Sequence, residues 1–220
     1  MNISRLTSQV VALGDFLLRF ARVNRATLHP DGIRPETDSD HTVMLAVIGP
    51  SLAHRWNLEV PPSRALDVSR ICQYAVVHDL AEGYAGDTNS IGITKSEKSD
   101  KDLRERQALQ RIRLEFGADF PWLLSMLDAY EAQEDAEARF VRYLDKVTPK
   151  ITHLLNAGAA LRKLGIDAVE AKRLHDAQIS DLACLYPEFP MLDVLLRESC
   201  DWSVAVLERE IKNIKLGTSS

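Results

Sequence analysis

The stretch Ala75-Val76-Val77-His78-Asp79-Leu80-Ala81-Glu82 decides how the chain is to be read. Leu66, Ile71, Ala75 and Val76 lead into it at helical spacing from Pro61-Pro62-Ser63, with Ser63 the expected N-cap. The segment therefore reads as an amphipathic helix carried through to Glu82. Within that apolar run, burying an Asp beside a His costs several kcal/mol unless a partner compensates, and a metal cation is such a partner. A histidine hydrogen-bonded in the core beside a surface aspartate is the other reading of the dipeptide alone.

Outward from this stretch the pattern is helix after helix. Leu6, Val10, Leu13, Leu17 and Phe20 recur three or four apart between Arg5 and Val23, as one buried helix face requires. A turn-rich break at 28–38 holds His29-Pro30-Asp31-Gly32 and Pro35. A helix capped by Asp38 or Ser39 then runs to about Trp56. Past the glycines Gly83, Gly86 and Gly92, helices are expected over 99–116, 121–132 and 135–147, the last stopped by Pro149. Three more follow at 151–163, 167–185 and 190–215. No segment alternates strictly enough to claim a strand. The expectation is an all-α chain, a single bundle of about eight to ten helices. Its core spans 16–148, a helical extension runs over 151–216, and 217–220 form a disordered tail.

Composition sets the bounds on function. Of 220 residues, 27 are Lys or Arg and 32 are Asp or Glu, a formal charge of −5 with no basic stripe, which argues against a nucleic-acid polymer as partner. No run approaches the ~18 apolar residues that span a bilayer, and Arg5, Gln9, Asp15 and Arg19 interrupt any signal-peptide pattern near the start. Cys72, Cys184 and Cys200 are odd in number and form no C-x-x-C pair, so a reducing, cytoplasmic compartment is expected.

Further polar residues fall where a helix core is expected. His41 follows Ser39-Asp40 at the head of an apolar helix, and Asp145 lies in Phe140-Val141-Arg142-Tyr143-Leu144-Asp145-Lys146-Val147. His41, His78, Asp79 and Asp145 come from three helices and can meet only through the fold. Two imidazoles and two carboxylates make a mixed N/O set suited to Mn, Fe, Co, Ni or Zn. Glu82, four residues after His78, falls on the same face if the helix continues. Asp87 sits in the glycine-flanked segment after it, where capping a turn would also explain it.

Taken in order, Arg22-Val23-Asn24-Arg25, Ser39-Asp40-His41, His78-Asp79-Leu80-Ala81-Glu82, Gly86-Asp87, Tyr130-Glu131-Ala132-Gln133 and Leu144-Asp145 resemble the HD-domain metal phosphohydrolases, and among them the 5′-deoxynucleotidases. The likeness runs from about Phe16 to Thr148. It implies one divalent transition metal held by His41, His78, Asp79 and Asp145. Glu82 and Asp87 are the implied catalytic carboxylates, and Arg22 the implied contact to the substrate phosphate. Asp87, Thr88, Asn89 and Ser90 match a loop that holds the nucleotide. Arg25, three residues after Arg22, would share its direction on a helix, or be a solvated arginine; Lys95 and Lys98 read as solvated lysines. A homodimer is implied as well. Val23 stands where the bacterial enzymes often carry a tryptophan, leaving more room around the sugar. The expected reaction is hydrolysis of the 5′-phosphate of a nucleoside or deoxynucleoside monophosphate, a small nucleotide substrate. Triphosphate release from a nucleoside triphosphate, alarmone hydrolysis, and nucleotide binding without turnover are the alternatives.

Overall fold

The computed structural model describes residues 3–88 and 93–217. Its elements are α1 (Ile3–Phe20), β1 (Asn24–Leu28), β2 (Pro35–Thr37), α2 (Asp38–Asn57), α3 (Val68–Val77), α4 (Glu82–Ala85), α5 (Lys95–Phe116), α6 (Pro121–Ala132), α7 (Ala136–Leu155), α8 (Ala159–Lys163), α9 (Ala168–Leu185) and α10 (Pro190–Gly217). Among the described residues the all-α expectation holds apart from one two-stranded ribbon. Its first strand leads into the break read as turns at 28–38, and its second lies within it. Asp31 Oδ1 accepts from the Ile33 and Arg34 amides at 2.8 and 2.9 Å, and the His29 amide donates to the Arg34 carbonyl at 2.8 Å. Strands of five and three residues are too short for alternation to show in the sequence.

The chain divides into two compact units, Met1–Arg25 with Thr37–Val141, and Ala26–Glu36 with Arg142–Ser220. In the first, α2 packs along α3, and Phe16, Leu45, Ile71, Tyr74, Ile112 and Tyr130 are almost wholly buried. Asn57 fastens the end of α2 by two 2.8 Å hydrogen bonds to the Leu66 backbone. Tyr74 lies 5.9 Å from the Tyr130 ring, and its hydroxyl donates to Asp135 at 2.5 Å. In the second unit, α9 packs on α10, with Leu192, Leu196 and Leu207 fully buried.

Three local readings are corrected. Val10 and Leu17, read as part of the buried face of α1, are exposed, and the buried residues of that helix are Phe16 and Phe20. The segment from Ser63 to Glu82 is not one helix. Residues 62–64 form a short 3-10 turn, α3 starts after Asp67, whose side chain accepts from the Ser69 and Arg70 amides, and it ends at Val77. Nor does Pro149 stop α7, which continues to Leu155. A proline inside a helix removes the N–H that would bond the carbonyl four residues back. Here that carbonyl belongs to Asp145, and the Thr148 hydroxyl donates to it at 3.2 Å. Pro50 inside α2 leaves the Ala46 carbonyl in the same position, and the Cys72 thiol faces it at 3.9 Å.

The second unit buries His153 and His175, at 1% and 3% exposed. Burial, with the nearby Lys150 charge, pushes both imidazoles down to about 3. A base whose proton affinity is lower in the folded than in the unfolded chain favours folding while it is neutral. Their stabilising effect is therefore complete above the ordinary histidine value near 6.5 and declines as pH falls toward 3. Urea unfolding of the second unit, followed by amide exchange in α9, should show this decline, and His153→Leu should reduce it, leaving the part due to His175. A profile flat from pH 7 to 4 in the unsubstituted protein would contradict the assignment.

Candidate metal centre

The first turn of α2 is tied down before it delivers its histidine. Thr37 is the N-cap, its hydroxyl accepts from the Asp40 amide at 3.2 Å, and Asp40 accepts from the Thr37 amide at 3.0 Å. This reciprocal box fixes the turn that carries His41, one residue further on and fully buried. Thr37 thus does the capping expected of Asp38 or Ser39.

His78 caps the C-terminus of α3 and is buried against the edge of the Tyr130 ring, centroids 6.2 Å apart. Its Nδ1 lies 2.8 Å from the Ala75 carbonyl, which can only accept, so Nδ1 carries the proton and Nε2 presents its lone pair. Nε2 of His78 lies 2.9 Å from Asp79 Oδ2, and Nε2 of His41 lies 3.9 Å from the same oxygen. The two rings are 5.3 Å apart. One donor atom from each of His41, His78 and Asp79 lies within 4.8 Å of the others, a separation one ion can bridge. Asp145 is a buried carboxylate on α7, one turn beyond Val141, with Lys146 Nζ at 2.7 Å.

Glu82 is not on α3. Residues 78–81 turn, the Glu82 amide donates to the Asp79 carbonyl at 2.8 Å, and Glu82 opens α4. The adjoining Gly83 allows this approach, because a Cβ there would come within 2.8 Å of the Phe16 ring. Gly86 ends α4 at φ 72°, a conformation that suits glycine, and turns the chain into half-buried Asp87 and Thr88.

Arg25 sits among these carboxylates, and Arg22 does not. Arg25 Nη1 is 3.1 Å from Asp38 Oδ1, 3.0 Å from Asp79 Oδ2 and 3.8 Å from Glu82 Oε2. Arg22 is exposed in the turn after α1, its amide bonded to the Arg19 carbonyl. The two arginines do not share a helix face, since α1 ends at Phe20 and Arg25 lies in β1. Asn89 and Ser90 lie outside the described residues. Lys95 and Lys98 are exposed on α5, as expected.

Sequence reasoning missed Asp38, fully buried beside Arg25. Its only signal was an acidic residue at a helix start, which ordinary capping already explains. Burial and the neighbouring carboxylates Asp79 and Asp38 push Glu82 up to about 11. Burial pushes Asp38 up to about 6, with Arg25 opposing. So much buried negative charge around one guanidinium fits a bound cation, and two imidazoles with carboxylate oxygens suit a divalent transition metal.

The sequence profile of the HD domain family matches residues 18–183. The human 5′-deoxynucleotidase HDDC2 is 32% identical over 114 residues, 51% of this chain and 50% of that protein. The mouse protein of the same name is 31% identical over 114 residues, 51% and 52% of the two chains. The chain thus spans about half the length of the curated relatives it matches. Among solved structures, a predicted metal-dependent phosphohydrolase of Magnetospirillum magnetotacticum shares the fold at TM-score 0.66 and 24% identity, covering 90% of this chain and 94% of that one. A conserved hypothetical protein of Pyrococcus furiosus does so at TM-score 0.54 and 20% identity, covering 83% and 98%.

Dialysis against a divalent transition metal followed by elemental analysis should give one ion per chain, with affinity falling as acid protonates the imidazoles. His78→Ala and Asp79→Ala should each lower that affinity by at least about tenfold. Unchanged affinity in both variants would place the metal elsewhere.

Proposed function

Since this chain belongs to the HD domain family, we propose that it is a metal-dependent phosphohydrolase acting on nucleoside 5′-monophosphates. The observation that carries the reading is the position of Arg25 between the carboxyl groups of Asp79 and Glu82, with His41 and His78 on the same Asp79 oxygen. A phosphate-binding cation and a proton-carrying carboxyl meet there at a site able to hold a metal. The curated relatives named as 5′-deoxynucleotidases support the substrate class.

His41, His78 and Asp79, with Asp145 as the fourth, would hold one divalent ion. Bound there, it would supply positive charge to a phosphoryl oxygen and acidify a water molecule. Arg25 takes the phosphate role expected of Arg22, its planar guanidinium suiting two phosphoryl oxygens at once. Asp38 holds Arg25 in place. Glu82, kept protonated by its surroundings, is placed to give its proton to the leaving 5′-oxygen and recover one from the attacking water. Asp87 and Thr88 flank the sugar and base. Val23, smaller than a tryptophan, supports acceptance of ribose as well as deoxyribose.

The remaining expectations stand as parts of the same proposal. The three cysteines are free, which supports a cytoplasmic setting. Among the described residues no helix is long and apolar enough to cross a membrane. Exposed Val10, Val11 and Leu18 on α1 support self-association as a homodimer.

The test is a screen of nucleoside mono- and triphosphates with Mn²⁺, Co²⁺, Ni²⁺ and Zn²⁺, identifying the leaving group. Inorganic phosphate from monophosphates is expected, and Glu82→Gln should lower kcat by about 10²–10⁴ while metal stays bound. Triphosphate as product, or tight nucleotide binding with no product under any metal, would overturn the reading.

A further inference from the structure

One face of α5 reaches the loop that follows α4. Arg104 donates from Nη2 to Thr88 Oγ1 at 2.8 Å. Lys101 lies three residues earlier, on the same side of the helix. Its ammonium is 3.3 Å from Glu105 Oε1, and its side chain is only 22% exposed although it belongs to a charged surface helix. Burial opposes the charge of this ammonium, and the neighbouring Glu105 carboxylate outweighs it. Of these two cations of α5, Arg104 meets the Gly86–Thr88 segment directly, through the Thr88 hydroxyl.

The segment needs such support. Its first residue, Gly86, has positive φ, and a Cβ built there would meet nothing within 4 Å, so side-chain packing does not fix the backbone at that point. The Gly86 amide ends α4 by bonding the Glu82 carbonyl at 2.7 Å. Any drift beyond that bond would carry Asp87 away from Glu82.

We propose that α5 is the arm that positions the Asp87 loop, with Arg104 acting through Thr88. Arg104 is a positioning residue. What the loop holds, the sugar and base of a nucleotide, rests on the function proposed above, whereas the clamp itself does not. Loss of the arm should weaken capture of the nucleoside part more than it slows the chemical step, because the metal set and Arg25 stay in place.

The experiment combines amide exchange with steady-state kinetics on the metal-loaded full chain. Arg104 is exposed, so Arg104→Met is expected to fold. Exchange at the Asp87 and Thr88 amides should quicken by about tenfold, the loss expected for one charge-assisted hydrogen bond. KM for a nucleoside monophosphate should rise by a similar factor while kcat changes less than about threefold. Thr88→Val should quicken exchange equally, and the double variant should be no worse than either single one. Arg104→Lys should recover part of the protection. Unchanged exchange in Arg104→Met, or effects that multiply in the double variant, would overturn the clamp. If no phosphomonoester is hydrolysed, the proposed function fails, and the exchange data still decide the clamp.

Discussion

Three carboxylates share one guanidinium. Asp38, Asp79 and Glu82 all face Arg25, and Asp38 and Glu82 are almost completely withdrawn from water. Negative charge gathered where solvent cannot screen it is unfavourable, and the surrounding structure meets that demand in several ways. Arg25 contributes its charge, and Glu82 gives up its own by holding a proton. The His41 and His78 nitrogens frame a place for a cation. Because the distances involved are short, the backbone that sets them has to be stiff. The capping box at Thr37 and the tight turn over 78–81 provide that stiffness from opposite sides.

How much of this the sequence disclosed follows from the range of each interaction. The helices were legible because their apolar spacing is a local property, and α6 was placed to the residue by Pro121 and the chain break after it. His41, His78 and Asp79 were legible because polar residues inside apolar runs need a reason. Arg25 and Arg22 could not be told apart in the same way. Which of them turns inward depends on where α1 gives way to β1, and a five-residue strand leaves little trace in composition. Asp38 was hidden for a different reason. An acid at a helix start satisfies the backbone wherever it occurs, so its burial beside Arg25 adds nothing visible to the pattern.

The interior prolines show the same limit from the side of helix stability. Read locally, Pro149 ends a helix, because it removes a donor and crowds the preceding turn. The helix survives where another donor reaches the exposed carbonyl, and the donor is supplied once from the next residue back, at Thr148, and once from another helix, at Cys72. The first is adjacent in sequence and could be recognised as a Thr-Pro pair. The second spans 26 residues and is a product of the fold.

The close approach at Gly83 has a bearing on how sequences of this kind can drift. The missing side chain is filled by the Phe16 ring, with Phe20 just behind it. Position 83 therefore cannot enlarge while position 16 stays aromatic, although nearly seventy residues separate them in the chain. A lineage that replaced the glycine would have to shrink the phenylalanine first, passing through a cavity beside the acid at Glu82. The two sites are tied as a pair, and the order in which they can change is set by the geometry of α4 against α1.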